Sequence, residues 1–218
     1  MNITNVVRSA TFAAIVAALW SCYEDTIHQT KEDYFPIENN LEWAYQRWLT
    51  SAGDDASSWI LDTLRLRVNG DTLVGGKLYK KITNTYGATD KIVRVEASRY
   101  YGRNHEVYSG YSDEYMFLDT DKPEGSAWEY FKNEGTKTEY VIRAKGRTHN
   151  ISGIVYEHVI EVEVNYYSQE SPGVYRYRFT SLHYYAKGTG EIFNHYPYPV
   201  SGYYANSRAF LIAVDNGI

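Results

Sequence analysis

Apolar and polar residues alternate along much of the chain beyond residue 33. Leu64, Leu66 and Val68 are separated by Arg65 and Arg67, which is the pattern of a strand that turns one face into a core. Comparable runs predict further strands at residues 43–47, 77–83, 92–96, 115–118, 175–180 and 208–214. Taken together, these runs predict a mainly β domain of roughly ten to twelve antiparallel strands.

The longest alternating run lies in the second half of the chain. It predicts one strand whose inward face carries six residues: Tyr156, His158, Ile160, Val162, Val164 and Tyr166. Glu161 and Glu163 fall on the opposite face. Because Arg176 and Arg178 alternate in the same way on the next predicted strand, we expect the two charged rows to pair across the sheet.

Turn signals separate these runs. Asn69-Gly70 follows Val68 directly and predicts a hairpin turn, because both residues tolerate positive φ. Gly75-Gly76 and the segment 171–173 (Ser-Pro-Gly) are also predicted to be turns between strands.

A tyrosine-rich segment, Phe193 to Tyr204, contains Pro197 and Pro199, which are expected to stop regular strand pairing and to leave an exposed loop. Tyrosine rings offer rigid flat surfaces on which sugars can stack. The alternative is a tyrosine-rich cap over one end of the sheet. The candidate ligand-binding residues are Tyr196, Tyr198, Tyr203 and Tyr204.

Short matches suggest that the second half of the chain repeats the first. Three segments recur in the same order: Trp43-Ala44-Tyr45 as Trp128-Glu129-Tyr130, residues 76–82 as 153–159, and Tyr100-Tyr101-Gly102 as Tyr184-Tyr185-Ala186. Such matches also arise by chance in a chain with 23 Tyr. A duplication, with halves at about 34–118 and 119–204, would form one continuous antiparallel and strongly curved sheet, or an open barrel.

The N-terminus has the features of a secretory signal. Arg8 precedes an apolar run from Ala10 to Trp20, and the small residue Ser21 precedes Cys22. The run is shorter than the roughly 20 residues that a spanning helix needs. An amphipathic helix, a buried core helix and a single-pass anchor are the alternatives. The expected division is a signal peptide at 1–21, a flexible tether at 22–33 and the β domain at 34–218.

Leu19-x-Ser21-Cys22 resembles the lipobox of bacterial lipoproteins, although Trp20 departs from the usual small or aliphatic residue. The resemblance implies that the thiol of Cys22 is acylated and that the lipid, palmitate included, attaches the protein to a membrane. Tyr23, rather than Asp, follows the cysteine, which resembles the sorting signal of lipoproteins of the outer membrane. The following residues 24–25 (Glu-Asp) are similar to the surface-export signal of Bacteroidetes lipoproteins, which leaves the periplasmic and the external face both open.

A wider resemblance begins at residues 34–37. Tyr-Phe-Pro-Ile there, followed by Trp43-x-Tyr45, resembles the opening of a group of Bacteroidetes lipoproteins of unknown function. The group implies a mostly antiparallel β fold at the cell surface or in the periplasm. It carries over no catalytic residues.

Composition narrows the functional classes. The net charge of −5 gives no general attraction to phosphate backbones, which argues against nucleic acid as a partner. A single cysteine excludes an internal disulfide. The six histidines show no metal-ligand spacing, and Asp119-x-Asp121 begins like a calcium loop but lacks the closing Glu. We therefore expect no metal, no cofactor and no catalytic residues.

These observations leave three functional hypotheses. The leading one is a lipid-anchored protein of the outer membrane that binds a glycan or an envelope protein without catalysis. The second is a carrier of lipid or another hydrophobic ligand inside the curved sheet. The third is a glycan hydrolase that uses Glu161 or Glu163.

Overall fold

The computed structural model describes residues 33–50, 60–106, 110–132, 135–197 and 206–215. The predicted signal peptide, Cys22 and nearly all of the tether lie outside the described residues. The described ranges contain thirteen strands: β1 Glu42–Thr50, β2 Ile60–Val74, β3 Lys77–Asn84, β4 Thr89–Glu96, β5 Arg99–Glu106, β6 Gly110–Tyr111, β7 Tyr115–Asp119, β8 Ala127–Lys132, β9 Thr136–Ile151, β10 Ile154–Ser171, β11 Val174–Ala186, β12 Gly190–Pro197 and β13 Asn206–Asp215.

All of the described strands belong to one antiparallel sheet. Its order is β6-β5-β4-β3-β2-β1-β13-β12-β11-β10-β9-β8, and β7 pairs with β5 beside β6. Neighbours in sequence are mostly neighbours in the sheet, and the ladder between β1 and β13 joins the two halves. The predicted mainly β, antiparallel fold is confirmed.

The sheet curves until its two ends meet. Tyr115 of β7 and Tyr130 of β8 have ring centroids 5.6 Å apart, and Trp128 Nε1 of β8 donates to the carbonyl oxygen of Met116 in β7 at 2.8 Å. In the described part of the chain, no backbone ladder joins β7 to β8. The fold is thus a strongly curved sheet that side chains bridge without closing it into a barrel.

The first described segment, residues 33–41, packs beneath this curved sheet. Phe35 is only 3% exposed, and its ring lies 5.3 Å from that of Trp43 and 5.5 Å from that of Phe117. The Tyr34 amide donates to the Tyr100 hydroxyl at 3.0 Å. Burial of a ring of this size stabilises the fold by about 1.5–3 kcal/mol, so the segment is an integral part of the core.

The predicted hairpin turn at Asn69-Gly70 is wrong. β2 runs through it to Val74, and the β2–β3 register shifts between Val68 and Asp71. Gly70 has φ +72°, and here the left-handed residue accommodates a β-bulge instead of a chain reversal. The turn instead lies at the predicted glycine pair 75–76, where both residues have positive φ.

A second bulge corrects the predicted face of β10. His158 has φ +54°, and the β9–β10 register shifts between Tyr156 and Val159. As a result His158 is exposed, whereas Val159 is fully buried. The prediction that His158 shares the inward face is wrong, because one extra residue reverses the alternation at that point.

The predicted pairing of the Glu and Arg rows is also wrong. In the β10–β11 register Glu161 faces Tyr184 and Glu163 faces Leu182. The two carboxylates instead contact β9, where Glu161 lies 2.8 Å from His149 and Glu163 lies 3.1 Å from Arg143.

Residues 193–197 form the end of β12 and not the predicted exposed loop. Phe193 pairs with Phe210 of β13, and Pro197 makes the last pair of the ladder with Asn206. The apolar run at 208–214 forms β13 as predicted. Residues 198–204 of the predicted loop lie outside the described residues.

The Trp-x-Tyr segments of the two halves make matching contacts. Each donates two hydrogen bonds to backbone carbonyls of the other half: Trp43 to Thr189 (2.9 Å), Tyr45 to Glu191 (3.0 Å), Trp128 to Met116 (2.8 Å) and Tyr130 to Asp113 (3.4 Å). By contrast, the tyrosine pair at 100–101 begins β5, whereas the pair at 184–185 ends β11. The duplication itself stays a prediction.

Candidate functional site

The concave face of the curved sheet encloses a cavity of about 790 Å³. Strands from both halves contribute to its walls, so the cavity exists only because the sheet turns back on itself. Its volume lies within the range of roughly 300–1,000 Å³ that is typical of small-molecule sites. Nine of the lining residues are aromatic: Tyr115, Phe117, Tyr130, Tyr140, Tyr166, Tyr167, Phe179, Tyr185 and Tyr196.

Contacts between the rings hold this aromatic lining in place. Tyr166 stacks on Phe179 with centroids 4.4 Å apart. Tyr196 meets both rings edge-on, at 5.4 Å from Tyr166 and 5.1 Å from Phe179. Because each ring is fixed by its neighbours, little side-chain entropy remains to be lost when a ligand binds.

Three of the cavity tyrosines, Tyr115, Tyr140 and Tyr185, remain neutral at physiological pH because their pKa values are raised. Burial raises the pKa of Tyr140 and Tyr185 well above the ordinary value, and the nearby charge of Glu191 raises that of Tyr185 further. Burial likewise raises the pKa of Tyr115. Their hydroxyl groups can therefore both donate and accept hydrogen bonds.

Uncharged polar groups lie between the rings. Asn104, Ser112, Thr136, Thr138 and Ser168 all line the cavity. The side-chain amide oxygen of Asn104 accepts a hydrogen bond from the Tyr115 hydroxyl at 2.8 Å. The walls thus combine flat apolar surfaces with hydroxyl and amide groups.

A buried chain of polar groups supports one wall. His183 Nδ1 lies 2.6 Å from Glu191 Oε1, and His183 Nε2 lies 2.9 Å from the Ser181 hydroxyl. Burial opposes ionisation of Glu191, but the hydrogen bond and charge of His183, with a contribution from Lys91, hold the pKa of that carboxyl below its ordinary value. The wall therefore carries the ionised carboxylate of Glu191, which is already hydrogen-bonded to His183.

The order Ser–His–Glu is that of a hydrolytic triad, but its geometry does not present a nucleophile. Ser181 is fully buried, and its side chain is not part of the cavity lining. An attacking hydroxyl must reach the substrate carbonyl. In this structure the group positions the wall of the cavity.

Four cationic side chains line the cavity: Lys91, Lys132, Lys137 and Arg178. Lys132 lies 2.9 Å from Glu106, and Lys137 lies 2.8 Å from Glu129. Lys91 lies over the rings of Phe35 and Phe117, at 5.2 and 5.9 Å from their centroids.

The structure brings one of the four predicted tyrosines to this cavity. Tyr196, on β12, lines it; Tyr198, Tyr203 and Tyr204 lie outside the described residues. Ligand binding by Tyr196 stays a prediction, and so does lipidation of Cys22.

The carboxylates of the hydrolase hypothesis are not part of the cavity lining. Val164 of β10 lines it, and strand alternation places Glu161 and Glu163 on the opposite face. Both carboxylates are occupied by β9 partners.

The sequence did not identify most of the cavity residues as candidates for ligand binding. Lys91 and Glu191 are a hundred residues apart, and the alternation around each predicts only a strand. A signal was present in the polar residues on apolar faces, such as His183, which shares a face with Tyr185. That signal becomes a site only once the register and curvature are known.

Two other classes of site are absent from the described ranges. They contain no group of three or more His, Cys, Asp or Glu side chains suited to a metal ion. Nor do they include a helix of the length and hydropathy that crossing a bilayer requires.

No protein-family model matches the chain. No curated protein matches it either. Two solved structures resemble it. One is described as an exported protein with a YmcC-like fold from Bacteroides fragilis, with TM-score 0.47, 10% identity, and 85% of this chain and 100% of that chain covered. The other is described as a lipoprotein from Parabacteroides distasonis, with TM-score 0.41, 12% identity, and 85% and 99% covered. Likenesses this distant assign no function.

Proposed function

We propose that this protein is a lipid-anchored envelope protein that binds a glycan in the cavity of its curved sheet, without catalysis. The observation that carries the proposal is the lining of nine aromatic rings interspersed with hydroxyl and amide groups. The C–H faces of sugar rings pack on aromatic rings, while sugar hydroxyls require hydrogen-bond partners. A concave site of this kind suits a glycan better than the broad surface of a partner protein.

The predicted lipid on Cys22 supplies the location. Thioether-linked diacylglycerol with an N-acyl chain would hold the protein in the outer membrane, since each buried methylene contributes about 0.8 kcal/mol. The tether would then separate the membrane from residue 33, whose carbonyl oxygen accepts a hydrogen bond from the Gly188 amide at 2.7 Å. The proposed glycan receptor thus has two parts: a lipid anchor in the envelope and a folded domain that carries the cavity.

The test is a screen of the full chain, purified in mild detergent, on a glycan array, followed by calorimetric titration of whatever is retained. Tyr167→Ala and Tyr196→Ala each remove one ring from the cavity lining and should weaken binding about three- to tenfold. Tyr86→Ala is the matched control, because Tyr86 is 92% exposed and does not line the cavity. The proposal fails if no glycan is retained, or if the cavity variants bind as tightly as the control.

A carrier of hydrophobic ligands is the second candidate, and the apolar aromatic rings of the lining, such as Phe117 and Phe179, favour it. The four cations and the hydroxyl groups of the lining favour the glycan instead. Native mass spectrometry of the purified full chain separates the two functions. A non-covalent lipid retained at one molecule per chain, and lost in Tyr196→Ala, would establish the carrier.

A further inference from the structure

The charge of the cavity is opposite to that of the whole chain. The protein carries a formal charge of −5, but the cavity is lined by four cationic side chains and a single carboxylate, that of Glu191. An aromatic wall alone would not require this excess, because neutral sugars are bound by stacking and by uncharged hydrogen-bonding groups.

Two of the four cations, Lys132 and Lys137, form ion pairs with carboxylates that do not line the cavity. The ion pairs of Lys132 with Glu106 and of Lys137 with Glu129 join each lysine to a partly exposed carboxylate. These two lysines are adequately explained as parts of the sheet surface.

Lys91 and Arg178 have no such explanation. Among the residues that the structure describes, no carboxylate oxygen lies within 4 Å of the charged nitrogen atoms of either side chain. Arg178 Nε donates to the hydroxyl of Ser168 at 2.6 Å, and the Lys91 ammonium lies over two rings. Glu191 is close enough for Lys91 to act on its charge, but its carboxylate is already bonded to His183.

We infer that the ligand of this cavity is an acidic glycan, whose carboxylate or sulfate groups are bound by Lys91 and Arg178 while its rings stack on the tyrosines. The inference rests on the glycan-binding function proposed above and specifies the class of sugar. Arg178 offers a planar fork that can bind a carboxylate or a sulfate through two hydrogen bonds. Lys91 offers a compact charge in a partly enclosed site, where an ionic hydrogen bond is stronger than at the surface.

The experiment uses the full chain in mild detergent on a glycan array of matched pairs. Oligouronates are paired with their methyl esters, and sulfated oligosaccharides with their desulfated forms, so each pair differs only in charge. We expect the acidic member to bind at least about tenfold more tightly than its neutral counterpart, because ionic hydrogen bonds in a partly enclosed site are the stronger class. Comparison of the two sets of pairs identifies whether the acid is a carboxylate or a sulfate.

Three variants assign the charge preference to the cavity. Lys91→Met and Arg178→Gln should each weaken the acidic member about tenfold and change the neutral member less than about twofold. Arg176→Gln is the control, because Arg176 lies on the same strand but pairs with Glu170 at 3.0 Å outside the cavity lining. Thermal unfolding of each variant verifies that the fold is retained.

The outcomes separate this inference from the function on which it rests. Equal binding within the pairs, or equal weakening of both members by Lys91→Met and Arg178→Gln, overturns the acidic ligand and leaves glycan binding intact. An array on which neither acidic nor neutral glycans are retained overturns both.

Discussion

Glu114 shows how a single residue ties strands together outside the cavity. Its carboxylate accepts hydrogen bonds from Arg94 Nε at 2.7 Å and Lys77 Nζ at 2.9 Å, and a further one from the Tyr79 hydroxyl. The Arg94 hydrogen bond is the main cause that lowers the pKa of Glu114 to about 2. The residue therefore connects the loop before β7 to β3 and β4.

We predict that Glu114→Gln lowers the free energy of unfolding by about 3 kcal/mol at pH 7, on the conversion of roughly 1.4 kcal/mol per pKa unit. A carboxyl whose pKa is lower in the folded state stabilises the fold above its unfolded pKa. That contribution is lost as the pH falls from about 4.5 towards about 2. The difference between the wild type and the variant should therefore shrink to roughly half by pH 3.

Urea unfolding at pH 7, 4.5 and 3 measures this difference. Glu96→Gln is the control, because Glu96 accepts a hydrogen bond from the same Arg94 at 2.8 Å but its side chain is 65% exposed. Its effect should be small at every pH. A Glu114→Gln effect that is equally small, or independent of pH, would contradict the prediction.

At the residue scale, two errors of sequence interpretation lie at left-handed residues, Gly70 and His158. Asn69-Gly70 is a strong hairpin signal because glycine adopts positive φ readily, but a β-bulge uses the same conformation. The ion pair of Asp71 with Lys80 at 2.6 Å shows that the strand continues to pair beyond the bulge. The sequence around His158 does not predict its bulge. The positive φ of 54° follows from the register with β9 and not from a conformational preference of histidine.

At the scale of the strands, the contacts between β7 and β8 are the structural element that shapes the cavity. Among the described residues, no backbone ladder joins these strands. The side chains of Trp128 and Tyr130 instead donate hydrogen bonds to the carbonyl oxygens of Met116 in β7 and of Asp113 just before it. Tyr130 also lines the cavity. The same aromatic residues therefore hold the sheet in its curve and form part of the candidate site.

We predict that Trp128→Phe lowers the free energy of unfolding by about 1 kcal/mol, because the phenyl ring keeps most of the packing but loses the Nε1 donor to Met116. Amide hydrogen exchange should become faster in β7 and β8 in particular. Trp43→Phe is the comparison, since it removes the matching bond to Thr189. Its exchange should be faster near Thr189 instead, and the same pattern in both variants would contradict the role of Trp128 between β7 and β8.

The alternation of apolar residues predicts the strands well because a half-buried sheet forces every second residue inward. The alternation cannot predict the cavity, because it shows only which residues face inward and not what lies opposite them. Val164 and Tyr166 alternate inward like core residues, whether they pack on side chains or face an empty space. The curvature that separates these two outcomes arises from contacts across the whole chain, such as the one between Phe117 and Tyr185, whose centroids lie 6.1 Å apart.

At the scale of the whole molecule, the proposed receptor has two separable parts, the anchor and the folded domain. Cys22→Ser removes the predicted acylation site and lies outside the described residues. We predict that the variant is released from membranes, because the predicted acyl chains would supply the membrane affinity. Its folded domain should keep the same unfolding temperature.

Sedimentation of cell envelopes and thermal unfolding measure the two parts of that prediction. Ser21→Ala is a suitable control, since it retains a small residue before the cysteine and should leave the protein in the membrane fraction. A Cys22→Ser protein that still sediments with the outer membrane would show that another segment provides the attachment.

The meeting of β7 and β8 also bears on how the protein behaves among many copies of itself. A sheet that ends in an unpaired strand offers a template onto which another chain can add, which is a common start of aggregation. Here the outer edges of β7 and β8 face each other, and β6 beside them is only two residues long. Among the described residues, this arrangement covers the outer edges of β7 and β8, so these two ends of the sheet would not act as templates for strand addition if the predicted lipid concentrates the protein on a membrane.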